Sequence, residues 1–251
     1  MPIFALVVLG FVQGVCEFLP ISSSGHLVLL SKIFGIEDSL FVSIILHVAT
    51  LLSVVVVMRK EIWQLLRHPF SKESISLALA TISTCVVAIL LMPLINASFE
   101  GVWLPIFFLL SAVILFFVGR KSKSGGEITY KRAVFIGLAQ GLAIFPGLSR
   151  SGTTISAGMV SGGGRKESAK FSFLISLPII VGSLVMELYK IIIRGQAISV
   201  NPIGIILSFI ISFIVGIICI KYMLKMTNNV AFKYFSIYLF IIAIISAIII
   251  W

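Results

Sequence analysis

A carboxylate, three consecutive hydroxyls and an imidazole interrupt an otherwise apolar stretch: Glu17, then Ser22, Ser23 and Ser24, then His26 after Gly25. A second apolar stretch is interrupted by Ser149, Arg150, Ser151, Gly152 and Thr154. Polar and ionisable groups are costly in apolar surroundings, so each is a functional candidate by default. Glu17 follows Gln13 by four residues, one helical turn, which puts both on one face. A lone buried carboxylate needs a cation or a proton, so a metal ligand or general base is favoured for Glu17 over a tie between helices.

His26 stands three residues after Ser23 at the start of a short apolar run. An acid/base or nucleophilic role is favoured there, whereas His47, alone in an apolar span, is balanced between that and a hydrogen-bonded core residue. Arg150 cannot shed its proton and must face an anion or a water-filled cavity; an ion pair with Glu17 is the structural alternative. One serine of Ser22, Ser23 and Ser24 suffices to cap a helix, leaving others as nucleophile or ligand. A guanidinium fork beside Ser149, Ser151 and helix N-terminal amides suits phosphate. Adding histidine and serine points to phosphoryl transfer. Glu187 and Lys190 read as a local ion pair.

The two interrupted stretches are copies. Laid over each other without a gap, GFVQGVCEFLPISSSGH (Gly10–His26) and GLAQGLAIFPGLSRSGT (Gly137–Thr153) agree at 7 of 17 positions, where ordinary usage gives roughly one. The chain is expected to hold a duplicated unit, repeat 1 over about 1–119 and repeat 2 over about 133–251, joined by the basic loop 120–132 in one membrane domain. Glu17 faces Ile144, Ser23 faces Arg150 and His26 faces Thr153, so the candidate chemistry sits where the copies differ.

Elements able to position these groups must lie in a membrane. Of 251 residues 59% are hydrophobic and 11% charged, and the mean hydropathy is +1.19, outside the range of soluble domains. The net charge of +10 lies between apolar runs rather than along one face, which excludes nucleic acid as a partner. Cys16, Cys85 and Cys219 lack metal-like spacing and read as small buried hydrophobes. No basic region precedes the first apolar run, so no cleaved signal peptide is expected.

Six runs predict spanning helices: Ser39–Met58, Ile75–Ala97, Val102–Gly119, Phe171–Ile193, with Pro178 and Gly182 expected to kink it, Pro202–Ile220 and Phe232–Trp251. The halves Pro2–Phe18, Leu27–Ile36 and Ala133–Leu148 are too short to span, which predicts two re-entrant helix-loop-helix segments. The expected fold is thus an all-α polytopic membrane protein with six transmembrane helices plus two re-entrant segments in an inverted-topology repeat. Basic loops support the inversion. Arg59–Glu73, Arg120–Arg132, Arg165–Lys170 and Lys221–Asn229 fall on one side, while the side of Lys32, Glu37, Asp38, Glu100 and Arg194 is nearly neutral. The two polar tips then meet near the midplane. The triple glycine Gly162-Gly163-Gly164 reads as a turn, since no Lys-Ser/Thr follows it as a Walker loop requires.

At these residues the chain resembles the undecaprenyl-diphosphate phosphatase family, the bacitracin-resistance type of membrane phosphatase. Gln13, Glu17, Ser22, Ser23, Ser24, Gly25 and His26 match its first motif; Pro146, Gly147, Ser149, Arg150, Ser151, Gly152 and Thr154 match its second. The resemblance extends over nearly the whole chain. It implies hydrolysis of a C55 polyprenyl diphosphate to the monophosphate carrier and inorganic phosphate, on the outer side of the cytoplasmic membrane, with Mg²⁺ or Ca²⁺. It implies Glu17, Ser23, His26 and Arg150 as catalytic residues. Ser22, Ser24, Gly25, Ser149, Ser151, Gly152 and Thr154 join Arg150 around the phosphates, and Glu17 holds the metal, with Gln13 as a further ligand. Many members carry Glu where this chain has Gln13, which leaves more of the metal's shell to diphosphate oxygens and water. Either Ser23 attacks with His26 as base, or His26 attacks directly.

Expected partners are the lipid substrate and the surrounding membrane, with a homodimer admitted. The type-2 phosphatidic-acid phosphatase class also uses Ser-Gly-His and Ser-Arg elements, but needs a histidine where this chain has Ser156. A polyprenyl-phosphate transporter or flippase is the stronger rival, because inverted repeats with broken helices are transporter architecture.

Overall fold

Each long apolar run forms a helix, and each run carrying the Ser/Gly interruption forms two. The computed structural model describes residues 2–36, 39–98, 101–118, 125–194, 200–226 and 229–251. Eleven helices cover most of them: α1 (Ile3–Cys16), α2 (Ser23–Phe34), α3 (Ser39–Val57), α4 (Arg59–Arg67), α5 (Lys72–Ser98), α6 (Leu104–Val118), α7 (Tyr130–Leu142), α8 (Arg150–Val160), α9 (Arg165–Arg194), α10 (Pro202–Lys225) and α11 (Asn229–Ile250).

Among the described residues the six expected spans are matched in part. Four helices of the described residues are long and apolar enough to cross a membrane, over Lys72–Ile95, Arg165–Tyr189, Pro202–Lys225 and Phe232–Ile250. A fifth, over Phe41–Val57, qualifies only together with Arg59–Arg67, to which it is bent by 77°. The sixth expected span, Val102–Gly119, holds α6, whose 15 residues run up to the edge of the described segment. Arg59–Glu73 is also no mere loop, because α4 forms within it. Proline does not end the spans: α5 runs through Pro93 and α9 through Pro178. Glu37, Asp38, Glu100, Arg120, Lys121, Lys123 and Ser124 lie outside the described residues, as do the side chains of Lys190 and Arg194, so the expected Glu187–Lys190 pair does too.

Small residues decide which helices touch. In lipid, helices gain nothing by hiding apolar surface from one another and associate where backbones approach closely. Gly10 and Gly14 of α1 lie against Ser208 and Ser212 of α10, where a Cβ on Gly14 would stand 2.8 Å from the Ser212 carbonyl oxygen. Their counterparts Gly137 and Gly141 on α7 lie against Ala80 and Thr84 of α5. There the Thr84 hydroxyl donates to the Gly137 carbonyl at 2.9 Å and the Gln140 amide donates to Thr84 at 3.1 Å. Each first half-helix therefore packs on a long helix of the other half of the chain. Ser53 of α3 donates to the Phe213 carbonyl of α10 at 2.8 Å, and Ser236 of α11 to the Ala112 carbonyl of α6 at 2.7 Å. The largest core cluster lies under the first tip, with Phe18 buried edge-on against Phe173 at 5.7 Å.

The triple glycine is a turn. Gly162 has φ +93°, a backbone form that glycine adopts without strain. The amides of Gly162, Gly163 and Gly164 donate to the carbonyls of Met159, Gly158 and Gly126, which leaves none of them for a phosphate. Arg132 closes the same turn by donating to the Ser161 carbonyl at 2.9 Å. Nearby, Lys72 donates to Glu127 at 2.8 Å and holds its carboxyl below the usual range.

Candidate active site

Both tips are built the same way. α1 ends at Cys16, a turn through Pro20 follows, and Ser22 caps α2 by accepting from the Gly25 amide at 3.4 Å. α7 ends at Leu142, and Ser149 caps α8 by accepting from the Gly152 amide at 3.1 Å. Ser22 and Ser149 are the same position in the two copies, so the capping expected of one serine falls on Ser22. Ser22 has φ +66°, the one positive value among the described residues other than glycine. That places backbone strain beside the reactive groups.

The tips touch. Ser151 donates to the Leu19 carbonyl at 2.9 Å, a Cβ on Gly25 would stand 2.8 Å from the Gly147 Cα, and one on Gly152 would stand 3.2 Å from Pro20. Ser23 and Arg150, which coincide in the alignment, are the first residues of α2 and α8. Both side chains reach Glu17. Ser23 donates to Glu17 Oε2 at 2.5 Å, the Gln13 amide donates to the same oxygen at 3.1 Å, and Arg150 Nη2 forms an ion pair with Oε1. The side chain of Glu17 is 4% exposed and that of Arg150 17%. The ion pair weighed as the structural reading of Arg150 is thus present. It leaves Nη1 buried without a hydrogen-bond partner among the described residues.

His26 is not joined to Ser23. Its Nδ1 lies 2.7 Å from the Ser22 carbonyl oxygen, and a carbonyl only accepts, so Nδ1 carries the proton in this contact. Nε2 then accepts from the Tyr238 hydroxyl at 2.8 Å. The imidazole lies nearly parallel to the Tyr238 ring and edge-on to Phe108. Direct attack by Nε2 would require Tyr238 to move aside, and proton transfer from Ser23 to His26 has no hydrogen bond along which to run.

The remaining expected phosphate contacts fall into two groups. Ser24 is half-buried at the start of α2. Ser149, Ser151 and Thr154 are buried, with their hydroxyls engaged inside the joint. Thr154 donates to the Arg150 carbonyl at 2.8 Å and lies 2.5 Å from the Ser172 hydroxyl. Ser111 of α6 accepts from the Ser149 amide at 2.8 Å. Extending the ungapped alignment puts Ser111 opposite Tyr238, so one residue from the last helix of each half holds the tip of the other half.

Two contacts escaped the sequence reading. His47 Nε2 lies 3.9 Å from Glu17 Oε2. Its Nδ1 faces the Ser43 carbonyl oxygen at 2.8 Å, a backbone group present whatever the residue, so a histidine alone in an apolar run was the available signal. Tyr238 had no signal in sequence, because only the fold brings α11 to His26.

Among the described residues no group of three or more His, Cys, Asp or Glu residues could hold a metal. Gln13 Oε1, however, is buried without a partner one turn before the Glu17 carboxylate. These two hard oxygen donors fit Mg²⁺ or Ca²⁺ as part of a shell, the rest falling to substrate oxygens and water.

The model of the bacitracin resistance protein BacA family matches residues 6–245. An undecaprenyl-diphosphatase of Thermosipho africanus is 37% identical to the chain, with 96% of this chain and 97% of the relative covered. One of Carboxydothermus hydrogenoformans is 35% identical, covering 96% and 95%, and one of Methanosphaera stadtmanae 36%, covering 98% and 97%. With a carboxylate, a serine and an arginine drawn together from both tips, and with relatives matching along nearly its entire length, the chain belongs to the bacitracin resistance protein BacA family.

Proposed function

We propose that the chain is an undecaprenyl-diphosphatase. It hydrolyses a polyprenyl diphosphate to the monophosphate carrier and inorganic phosphate at the joint of the two tips. The observation that carries this reading is the meeting of Glu17, Ser23 and Arg150, contributed by parts of the chain 133 residues apart. Arg150 Nη1 and the N-termini of α2 and α8 receive the diphosphate, where fixed donors stabilise the charge of a transferring phosphoryl group. Ser23 Oγ attacks the terminal phosphorus as its proton passes to Glu17 Oε2. The bond between that phosphorus and the bridging oxygen breaks, and the polyprenyl monophosphate leaves. Water then cleaves the phosphoserine, with Glu17 returning the proton to Ser23, and phosphate departs. Glu17 supports this base role better than His26 does, since it already accepts from Ser23. His26 and Tyr238 brace the start of α2. A divalent cation held by Glu17 and Gln13 would supply charge neutralisation for the diphosphate.

The packing of α1 on α10 and of α7 on α5 through equivalent glycines supports the inverted-repeat layout; six spans, two re-entrant segments and a site opening outward complete the proposed arrangement. The same architecture favours a second reading as a polyprenyl-phosphate flippase. Purified protein in detergent, where transport cannot be scored, separates the two. Metal-dependent phosphate release from polyprenyl diphosphate, with acid-stable phosphoserine lost in Ser23→Ala, is expected. No release from any polyprenyl diphosphate would leave the carrier reading.

A further inference from the structure

The short helix α4 has no counterpart in the second half of the chain. Where α3 ends at Val57 and the chain bends by 77° at Met58 into α4, the aligned residues 186–194 simply continue α9. The bend is anchored, because Met58 is buried, and Ile62 and Leu65 pack against the main core. Glu61 on the inner side pairs with Lys170 of α9 at 3.4 Å. What α4 turns away from the core is of two kinds. Trp63 (56% exposed), Leu66 (69%) and, just beyond the helix, Phe70 (89%) are large apolar side chains. Arg59, Lys60 and Arg67 are exposed cations beside them, and the Arg67 guanidinium lies 4.8 Å over the Trp63 ring.

A helix that leaves a membrane span at 77° runs nearly along the membrane surface. Its exposed face combines an interfacial aromatic, apolar residues and cations, the composition that lies in the headgroup layer. We propose that α4 is an interfacial helix whose outer face binds anionic phospholipid headgroups, with Arg59, Lys60 and Arg67 on the phosphates and Trp63 and Leu66 at the acyl boundary. The charge selects the occupant: each cation near an anionic surface contributes attraction, and the one acid of the helix is turned inward to Lys170. Through that pair, α4 ties the headgroup layer to the start of α9, next to the turn that follows α8. This assignment does not depend on the reaction at the tips.

The test uses the full chain with Trp103→Phe and Trp251→Phe, so that Trp63 is the sole tryptophan, reconstituted in vesicles. Lipids brominated near the headgroup should quench Trp63 more than lipids brominated near the chain ends. Shallow-brominated phosphatidylglycerol should quench about twofold or more better than shallow-brominated phosphatidylcholine at the same mole fraction. The preference should vanish in Arg59→Gln/Lys60→Gln/Arg67→Gln, with Trp63 still quenched by shallow bromine. Equal quenching by the two headgroups in the unmodified helix overturns the anionic assignment. Greater access of Trp63 to iodide in water than to either brominated lipid overturns the interfacial placement.

Discussion

Replacing Arg150 by Met should damage the protein in two ways that a second substitution separates. Arg150 faces the buried Glu17 carboxylate, and removing one partner of such a pair strands the other charge, at a cost of about 3–5 kcal/mol. Arg150 retains some exposure, so the lower end, about 3 kcal/mol, applies, and for a chain of this length it lowers Tm by roughly 6–12 °C. Adding Glu17→Gln removes the stranded charge, and the double variant should recover most of that loss. Its turnover should remain at least about a thousandfold down, since neither the clamp nor the proton acceptor is present. In a Cys85→Ser background, since Cys85 is exposed, a thiol-reactive dye follows unfolding, because Cys16 and Cys219 are buried, and phosphate release from polyprenyl diphosphate follows turnover. A single variant as stable as the parent would refute the buried-pair argument. A double variant that still turns over would refute the assignment of Glu17 and Arg150 to the reaction.

Tyr238→Phe removes the hydroxyl on His26 Nε2 and should lower phosphate release about tenfold at a stability cost of about 1 kcal/mol; full activity would separate His26 from the site. Thr154→Val loses the contacts with Ser172 and the Arg150 carbonyl, so its thermal midpoint should drop while KM for the diphosphate stays unchanged. A raised KM would instead mean that Thr154 touches substrate. Gly14→Ala forces a Cβ against Ser212 and Val215 and should cost about 1–3 kcal/mol. Gly182→Ala meets nothing within 4 Å and should be neutral or stabilising by up to about 1 kcal/mol; dye-monitored melting distinguishes the two.

Sequence alone determined the helical membrane class, the two interruptions and the identity of Glu17, Ser23 and Arg150 as candidates. Apolar runs and buried charge are local properties of the chain, and a duplicated motif is visible wherever it occurs. Helix starts were less legible, because the run from Val102 is apolar throughout while its helix begins at Leu104. Nor did the basic loop Arg59–Glu73 reveal that part of it is a helix turned along the surface.

What only the tertiary structure decided is the pairing of the candidate groups. His26 follows Ser23 by three residues, and spacing suggested a base beside its nucleophile. In the fold the Ser22 carbonyl and Tyr238 occupy both ring nitrogens, and Ser23 turns to Glu17 instead. A hydroxyl and an imidazole near each other in sequence share a hydrogen bond only if no better partner arrives from elsewhere. Here the glycines that let α1 approach α10 and α7 approach α5 set where the two tips meet, and so which charge faces which hydroxyl.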